Sequence, residues 1–398
     1  MSSTIKFNSI DRHNISKLSI FIKQLIQSAD FISIDTEFTG LKLEQPSKTF
    51  SFKLRDWNNR NQDISERYKA LRLLATTHSL VSLGISIFKK VPSSDPQIDS
   101  TFVVNNFNFI LFCQNSHLVS PSSLEFLANN GFDFNYQDKN GIRFCSPPIQ
   151  YSNSKDLSNE NSKKKRKTPS TNGSLSNSSV SETADGRIIR DIILSVFDSQ
   201  APTIIHNGLL DLLFLYNSFI TELPPTVDQF VADLDDFLGG PIYDTKYRKM
   251  NKRKLAGQKY IDFNIKDQIK LGNLISPPPA TPKKSTSSLN PNSPPYCQSN
   301  PASQSYHSAV FDAYMTGYLF LANTLESPDA APSPNPGDPN SISTSTGFGD
   351  IGTGDSVPFQ SQRNKIFLIG KNFPLSIEPS KFSSNSQSYI EFKSNRSL

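Results

Sequence analysis

The sequence contains little cysteine and no long apolar run. Its three cysteines, Cys113, Cys145 and Cys297, match no zinc-ligand spacing. Such a small, odd number is typical of free thiols in a reducing compartment. No N-terminal apolar segment resembles a signal peptide, and no run of about 18 apolar residues is long enough to cross a bilayer. We therefore expect a soluble protein that is not secreted.

Excess charge is also scarce outside one short run. The net charge is +5, and the five basic residues of that run account for all of it: Lys163, Lys164, Lys165, Arg166 and Lys167. The remaining charges cancel, so the overall basicity says little about partners of the folded part. Within a polar segment, five contiguous basic residues indicate a nuclear localisation signal read by an import receptor, with nonspecific RNA tethering as the alternative.

Apolar residues make up 36% of the 398 residues, and three stretches contain few of them. These Ser-, Asn- and Pro-rich stretches lie at about 152–184, 276–303 and 326–362. They lack the apolar surface that offsets the entropy of ordering a chain, which predicts disorder. We expect one domain over residues 1–383 with these disordered insertions, followed by a flexible tail at 384–398. Two separate domains fit the pattern less well.

Between these stretches, apolar side chains recur with the period of helices or strands. Helical spacing occurs over residues 15–28, 62–76, 187–198, 209–219, 227–237 and 308–322. Strand patterns occur over residues 31–35, 79–88, 101–112, 203–206 and 365–369. This order predicts an α/β fold, a mixed sheet with helices on both faces.

The triplet Asp35-Thr36-Glu37 stands at the end of the first apolar strand. Side chains alternate along a strand, so Asp35 and Glu37 point to one face and Thr36 to the other. Two carboxylates on one face can bind a hard cation such as Mg²⁺. A solvated strand end would also contain such a triplet, so the pattern alone is weak.

Asp211 follows the short strand 203–206 and the turn Asn207-Gly208, at the start of a helix. The second strand thereby delivers a carboxylate near the same sheet edge. By itself, Asp211 is better explained by favourable interaction with the helix dipole. His206 is better explained as a hydrogen-bonded residue at a strand end than as a functional group.

His307 and Asp312 are five residues apart, which corresponds to about 140° around a helix. They would not share a helix face, so we place His307 in the preceding loop and Ser308 at the helix cap. Asp312 then faces inward from the first turns. An exposed loop histidine is the alternative for His307.

Together these groups predict phosphodiester hydrolysis. Carboxylates of this number can hold two divalent cations about 4 Å apart, which stabilise the attacking and leaving oxygens. Mg²⁺ is the expected ion, with Mn²⁺ as the alternative. A neutral histidine whose pKa lies near 7 can take the proton of the attacking water.

The order Asp-x-Glu, Asp and His-x-x-x-x-Asp is similar to that of the DEDDh exonucleases. The flanking text resembles the poly(A)-specific-ribonuclease-like deadenylases, most of all their nuclear member named as the target of early growth response protein. The matching blocks are residues 33–41, 66–70, 82–84, 131–135, 206–212, 243–247, 311–318, 364–367 and 374–375. The Cys₃His zinc finger of that nuclear member has no counterpart here, which removes one expected route of RNA targeting.

The resemblance implies an RNase H-like fold and metal-dependent 3′→5′ exoribonuclease activity that releases 5′ mononucleotides. The implied partner is a single-stranded RNA 3′ end, either poly(A) or the tail of a small nuclear RNA. Carried over by position, the metal ligands are Asp35, Glu37, Asp211 and Asp312, with His307 as the general base. A catalytically inactive RNA-binding scaffold and a DNA 3′→5′ exonuclease are the alternatives. We expect a nuclear location, with the cytoplasm as the alternative. We also expect that the chain can form a homo-oligomer, whose copy number the sequence does not give.

Further residues are candidates for RNA binding. Phe38 follows the metal carboxylates and is placed to stack on a base, although a core role fits equally well. A cluster of basic residues suits phosphate neutralisation, with a solvated helix face as the alternative. Its members are Lys246, Arg248, Lys249, Lys252, Arg253 and Lys254. Asp244, just before this cluster, is expected to assist the site without binding metal.

Overall fold

The computed structural model describes residues 7–41, 63–92, 100–147, 182–247, 308–325, 361–378 and 385–396. The strands are β1 Phe7–Ile10, β2 Phe31–Phe38, β3 Leu80–Pro92, β4 Ser100–Cys113, β5 Ile142–Phe144, β6 Thr203–Ile205, β7 Ile242–Asp244, β8 Lys365–Ile366 and β9 Leu375–Ser376. The helices are α1 Ile15–Gln27, α2 Ile64–Thr77, α3 Pro121–Asn129, α4 Phe134–Asn140, α5 Ala184–Phe197, α6 Leu209–Leu215, α7 Val227–Phe237, α8 Ala309–Leu325 and α9 Gln387–Arg396. A π-helical segment, Tyr216–Ile220, continues α6. No helix in these ranges has both the length and the apolar character needed to cross a bilayer.

One sheet contains all of these strands. Its order is β1-β4-β3-β2-β6-β7-β8-β9, with β5 beside β4. The strands β4, β3 and β2 pair antiparallel, whereas β2, β6 and β7 run parallel. The mixed sheet flanked by helices is confirmed. Because β6 lies beside β2 and runs parallel to it, Asp35 and the start of α6 come to the same end of the sheet.

Helix α8 packs against one face of the sheet, within a cluster of aromatic side chains. Two glycines allow its close approach. A Cβ atom at Gly84 would overlap the carbonyl oxygen of Ala309, and one at Gly317 would overlap the ring of Phe88. The Ser33 hydroxyl donates a hydrogen bond of 2.7 Å to the Ala313 carbonyl oxygen. These contacts set the height and register of α8 over β2.

The other face carries the larger core, which includes Ile32 and Ile34 of β2 and the apolar sides of α1, α2, α5, α6 and α7. Helix α7 begins and ends where its apolar spacing predicted, and the Thr226 side chain caps it by accepting from Gln229 N. All the predicted helices and strands are present, with ends shifted by a few residues. The strand expected at 365–369 is shorter, because the amide of Phe367 bonds to a side chain rather than to a neighbouring strand.

The flexible tail expected at 384–398 is wrong over residues 385–396, which include α9. This helix is anchored through Asp233, whose carboxylate accepts from both the amide and the hydroxyl of Ser386 at 2.7 and 2.5 Å. Tyr389 of α9 is only 3% exposed. The polar sequence of α9 gave no sign of this docking, since the stabilising groups lie on a distant helix.

The end of the first expected insertion also belongs to the fold. Thr183 caps α5 by accepting from Gly186 N, and Glu182 forms a buried ion pair of 2.8 Å with Arg190. The rest of that insertion lies outside the described residues. So do the second insertion and the third, apart from residues 361–362. The one-domain organisation stays a prediction.

Candidate active site

Three carboxylates meet at one end of the sheet. Asp35 and Glu37 lie near the carboxyl end of strand β2, and Asp312 lies in the first turn of helix α8. One carboxylate oxygen from each lies within 4.8 Å of the others. The meeting follows from the fold, because α8 covers the face to which alternate side chains of β2 point. The structure thus brings together three of the predicted ligands, and their binding of metal stays a prediction.

Asp211 reaches the same end from the opposite face, in the first turn of α6. Its Oδ1 atom accepts from the amide of Thr36 at 3.1 Å and from the Thr36 hydroxyl at 2.5 Å. Thr36 points away from Asp35 and Glu37, as the alternation predicted, and thereby ties the fourth carboxylate to the strand that carries the first two. Neither of the two Thr36 bonds involves Oδ2, so this oxygen is the candidate metal ligand of Asp211.

The pKa values of all four carboxylates are raised, chiefly by burial. Burial is the largest cause for Asp35 and Glu37, followed by the charges of the neighbouring carboxylates, and it holds the pKa of each well above its usual range. Burial raises the pKa of Asp211 to about 6 against the lowering effect of the Thr36 hydrogen bonds, and that of Asp312 to about 7. Crowded oxygen ligands of this kind fit hard divalent cations, which supply the missing positive charge.

A cavity of about 400 Å³ opens beside the carboxylates. Its polar lining comes from Asp35, Thr36, Arg67, His206, Asn207 and Asp211. Its apolar lining comes from Phe38, Leu41, Leu71, Leu209, Leu210, Phe367, Leu368 and Ile369. Apolar walls with a few convergent polar groups are typical of small-molecule and nucleotide sites.

Phe38 has the core role that its position suggested, and its stacking on a base stays a prediction. Its ring lies 4.3 Å from the ring of Phe214, between centroids, and packs against the core. It also lines the cavity. A base in the cavity would therefore meet a ring that is already held in place, although the structure does not test stacking itself.

His206 is hydrogen-bonded at its strand end, as expected. Its Nδ1 atom lies 2.8 Å from the Thr245 hydroxyl, which donates to the Ile205 carbonyl oxygen at 3.2 Å. The hydroxyl has one proton, so it accepts from His206, and Nδ1 carries a hydrogen. His206 nevertheless lines the cavity, which the sequence interpretation did not favour.

Several predicted residues cannot be placed. His307 lies outside the described residues, as do Lys163–Lys167 and the basic residues Arg248, Lys249, Lys252, Arg253 and Lys254. Lys246 is described, and its ammonium group lies 5.3 Å from the ring centroid of Phe367, a cavity residue.

The sequence interpretation missed two parts of the cavity. Arg67 is 2% exposed on α2 and lines it. Its position three residues after Ile64 and four before Leu71 places it on the apolar face of a helix, which was a usable signal. The second part is the segment Phe367–Ile369, whose pattern predicted a strand and gave no sign that it lines the site.

Comparison with known proteins gives a family. The model of the CAF1 family ribonucleases matches residues 10–320 of this chain. The poly(A)-specific ribonuclease PARN of Danio rerio is 32% identical over 145 residues, which are 34% of this chain and 20% of that protein. The chain thus matches about a fifth of the length of this relative. The pre-piRNA 3′-exonuclease trimmer of Bombyx mori is 22% identical over 382 residues, 75% of this chain and 68% of that protein.

Solved structures with a similar backbone fold include those of two Pop2 proteins. One is the Mg²⁺- and Mn²⁺-bound form of S. pombe Pop2p, at 16% identity and a TM-score of 0.44, covering 79% of this chain and 90% of that one. The other is the RNase domain of yeast Pop2, at 13% identity and a TM-score of 0.44, covering 80% and 85%.

Proposed function

The chain belongs to the CAF1 family of ribonucleases, and from that premise we propose that it is a divalent-cation-dependent 3′→5′ exoribonuclease. It removes nucleotides one at a time from single-stranded RNA and releases 5′ mononucleotides. The substrate is a 3′ tail, poly(A) or the end of a small RNA. One observation carries the proposal: the carboxylates of Asp35, Glu37 and Asp312 share a single ligand sphere beside an open cavity.

The residues present fit two divalent cations, Mg²⁺ or Mn²⁺. Asp35, Glu37 and Asp312 would hold one between them, and Asp211 would complete the second site through the oxygen that Thr36 leaves exposed to it. Bound there, the cations would lower the pKa of a water and stabilise charge on the phosphate. After burial, the charges of the neighbouring carboxylates are the next cause that raises the pKa values of Asp35 and Glu37, and bound cations would offset this repulsion.

The other groups of the chain bind and orient the RNA. The apolar lining of the cavity, with Phe38 on one side, takes the terminal base, and Lys246 at its rim neutralises phosphate. His307 takes the proton of the attacking water. The names of two relatives, a poly(A)-specific ribonuclease and a pre-piRNA 3′-exonuclease, support RNA as the substrate and the 3′ end as the point of attack.

The test is a time course with the purified full chain and 5′-labelled RNAs that end in adenosines or in mixed sequence. We expect a ladder that shortens from the 3′ end in Mg²⁺ or Mn²⁺ and no products in EDTA. Asp35→Asn should reduce the rate by a factor of about 10³ or more, because it removes a shared metal ligand. Asp191→Asn, which changes an exposed carboxylate on α5, is the matched control and should leave the rate unchanged.

Two outcomes would replace this function. Equal degradation of DNA with the same sequence would favour a general 3′→5′ exonuclease. RNA binding without any product, by a protein with a cooperative melting transition in Mg²⁺, would favour an inactive scaffold.

We further propose that the chain is imported into the nucleus through Lys163–Lys167. A fluorescent fusion of the full chain should be nuclear, and replacement of all five basic residues by alanine should shift it to the cytoplasm. An unchanged distribution would show that import, if it occurs, uses another segment.

A further inference from the structure

A buried carboxylate connects three segments around the cavity. Asp244, the last residue of β7, is 3% exposed. Its Oδ1 atom accepts from the amides of Asn207 and Lys246, both at 2.9 Å, and its Oδ2 atom accepts from the amide of Phe367 at 3.0 Å. Both oxygens are therefore engaged by backbone donors.

Each of these amides belongs to a different part of the site. Asn207 has a left-handed φ of 58°, which is uncommon for a residue other than glycine, and it leads into the helix that carries Asp211. The hydrogen bond to Asp244 holds this turn. Lys246 places its ammonium group over the ring of Phe367.

Phe367 begins the third segment, Phe367–Ile369, which we call the distal wall. All three of its residues line the cavity. The wall follows a strand of only two residues, Lys365–Ile366, so the ladder does not extend along it. Beyond the strand, this segment is attached by the bond from the Phe367 amide to Asp244 and by the burial of Leu368 in the core.

We infer that Asp244 is a positioning residue that fixes the distal wall relative to the metal carboxylates and thereby sets how tightly the terminal nucleotide is held. The inference rests on the proposed function. One side chain sets the spacing, because the Asn207 side of the cavity and the Phe367 side bond to the two oxygens of the same carboxylate. The effect should appear in substrate binding rather than in the chemical step.

Asp244→Asn tests this with little change in shape. Asparagine keeps two of the three bonds if its oxygen occupies the Oδ1 position, since that oxygen serves Asn207 and Lys246. Its amide group then faces the Phe367 amide. Because both groups are donors, the hydrogen bond that attaches the distal wall to residue 244 is lost. Loss of a hydrogen bond to a charged group is commonly worth about a factor of ten or more.

For the full chain in Mn²⁺ we expect KM for an RNA 3′ end to rise about tenfold, with kcat changed by less than about threefold. Hydrogen–deuterium exchange should accelerate in peptides over 365–369 and stay the same over 204–212. The Mn²⁺ concentration that gives half-maximal thermal stabilisation should not change. Asp191→Asn is the control for loss of a negative charge.

A second variant does not depend on how Asp244→Asn folds. Ile369→Ala shortens a side chain of the distal wall and leaves all bonds of Asp244 intact, so it should also raise KM without changing kcat. Unchanged KM in Ile369→Ala, or in a folded Asp244→Asn protein with accelerated exchange, would overturn the inference. So would a loss of Mn²⁺ affinity in Asp244→Asn. An inactive wild-type protein would instead refute the proposed function.

Discussion

Replacing Asp312 by asparagine should stabilise the protein in the absence of metal while abolishing its activity. Burial raises the pKa of Asp312 from 3.8 to about 7, which sets an upper limit of about 4 kcal/mol on the cost of ionising it in the folded state. Its half-buried position and the protonation it shares with neighbouring carboxylates reduce the cost, and we expect a net gain of about 1–2 kcal/mol at pH 8. That gain corresponds to an increase of about 2–8 °C in Tm.

The assay is thermal unfolding at pH 8, first in EDTA and then with increasing Mn²⁺. Wild type should gain about 2.7 kcal/mol when Mn²⁺ exceeds its Kd a hundredfold, and Asp312→Asn should gain little, so the order of the two Tm values should reverse. Asp191→Asn, with its carboxylate far from the site on an exposed helix face, should follow wild type in both conditions. A lower Tm of Asp312→Asn in EDTA would refute the electrostatic reasoning, because it would mean that the carboxylate stabilises the empty site.

Three further predictions concern the supports of the site. Thr36→Val removes the hydroxyl donor to Asp211. In the same RNA assay it should lower kcat about tenfold and change KM by less than about threefold. A kcat equal to that of wild type would mean that the Thr36 amide alone holds Asp211. Gly84→Ala forces a methyl group into the Ala309 carbonyl. In urea unfolding it should lower the free energy of unfolding by about 1–3 kcal/mol, and it should also reduce activity because Asp312 shifts. An unchanged midpoint of urea unfolding would show that α8 relaxes freely. In the folded state the pKa values of Asp211 and Asp312 are raised to about 6 and about 7. Their contribution to stability is therefore complete below about pH 4 and is lost as the pH rises through these values. In EDTA the free energy of unfolding should fall from pH 5 to pH 8, and it should fall less steeply in Asp312→Asn.

Local pattern was sufficient to predict the parts of the fold that local physics decides. The helix Val227–Phe237 has a threonine cap and a regular apolar spacing, and both are visible in the sequence. The common face of Asp35 and Glu37 follows from strand alternation alone. By contrast, β7 contains only Ile-Tyr-Asp, too short to show a period, and its Asp244 gained a role only from amides 37 and 123 residues away.

The same distinction explains why the site was harder to predict than its ligands. Asp211 could be assigned to the sheet edge from its strand and turn, but its bond to Thr36 joins residues 175 positions apart. The strand pattern over 365–369 did not show that the distal wall lines the cavity, because the wall bonds to Asp244 through a backbone amide rather than through a side chain. Residue identity predicts a group's chemistry, whereas long-range backbone bonds decide which groups share a cavity.

The site collects like charges from both faces of one sheet, and this arrangement explains the rigidity of its supports. Asp312 comes from the α8 face and Asp211 from the α6 face, and each is held by a bond or a close contact to β2 or β3. Carboxylates that repel one another would move apart if the backbone could yield. Cations bound as proposed would offset the cost of keeping them together, so stability and metal binding should change together in this protein. A ligand arrangement that depended on flexible loops would separate the two, since an empty site could relax at no cost.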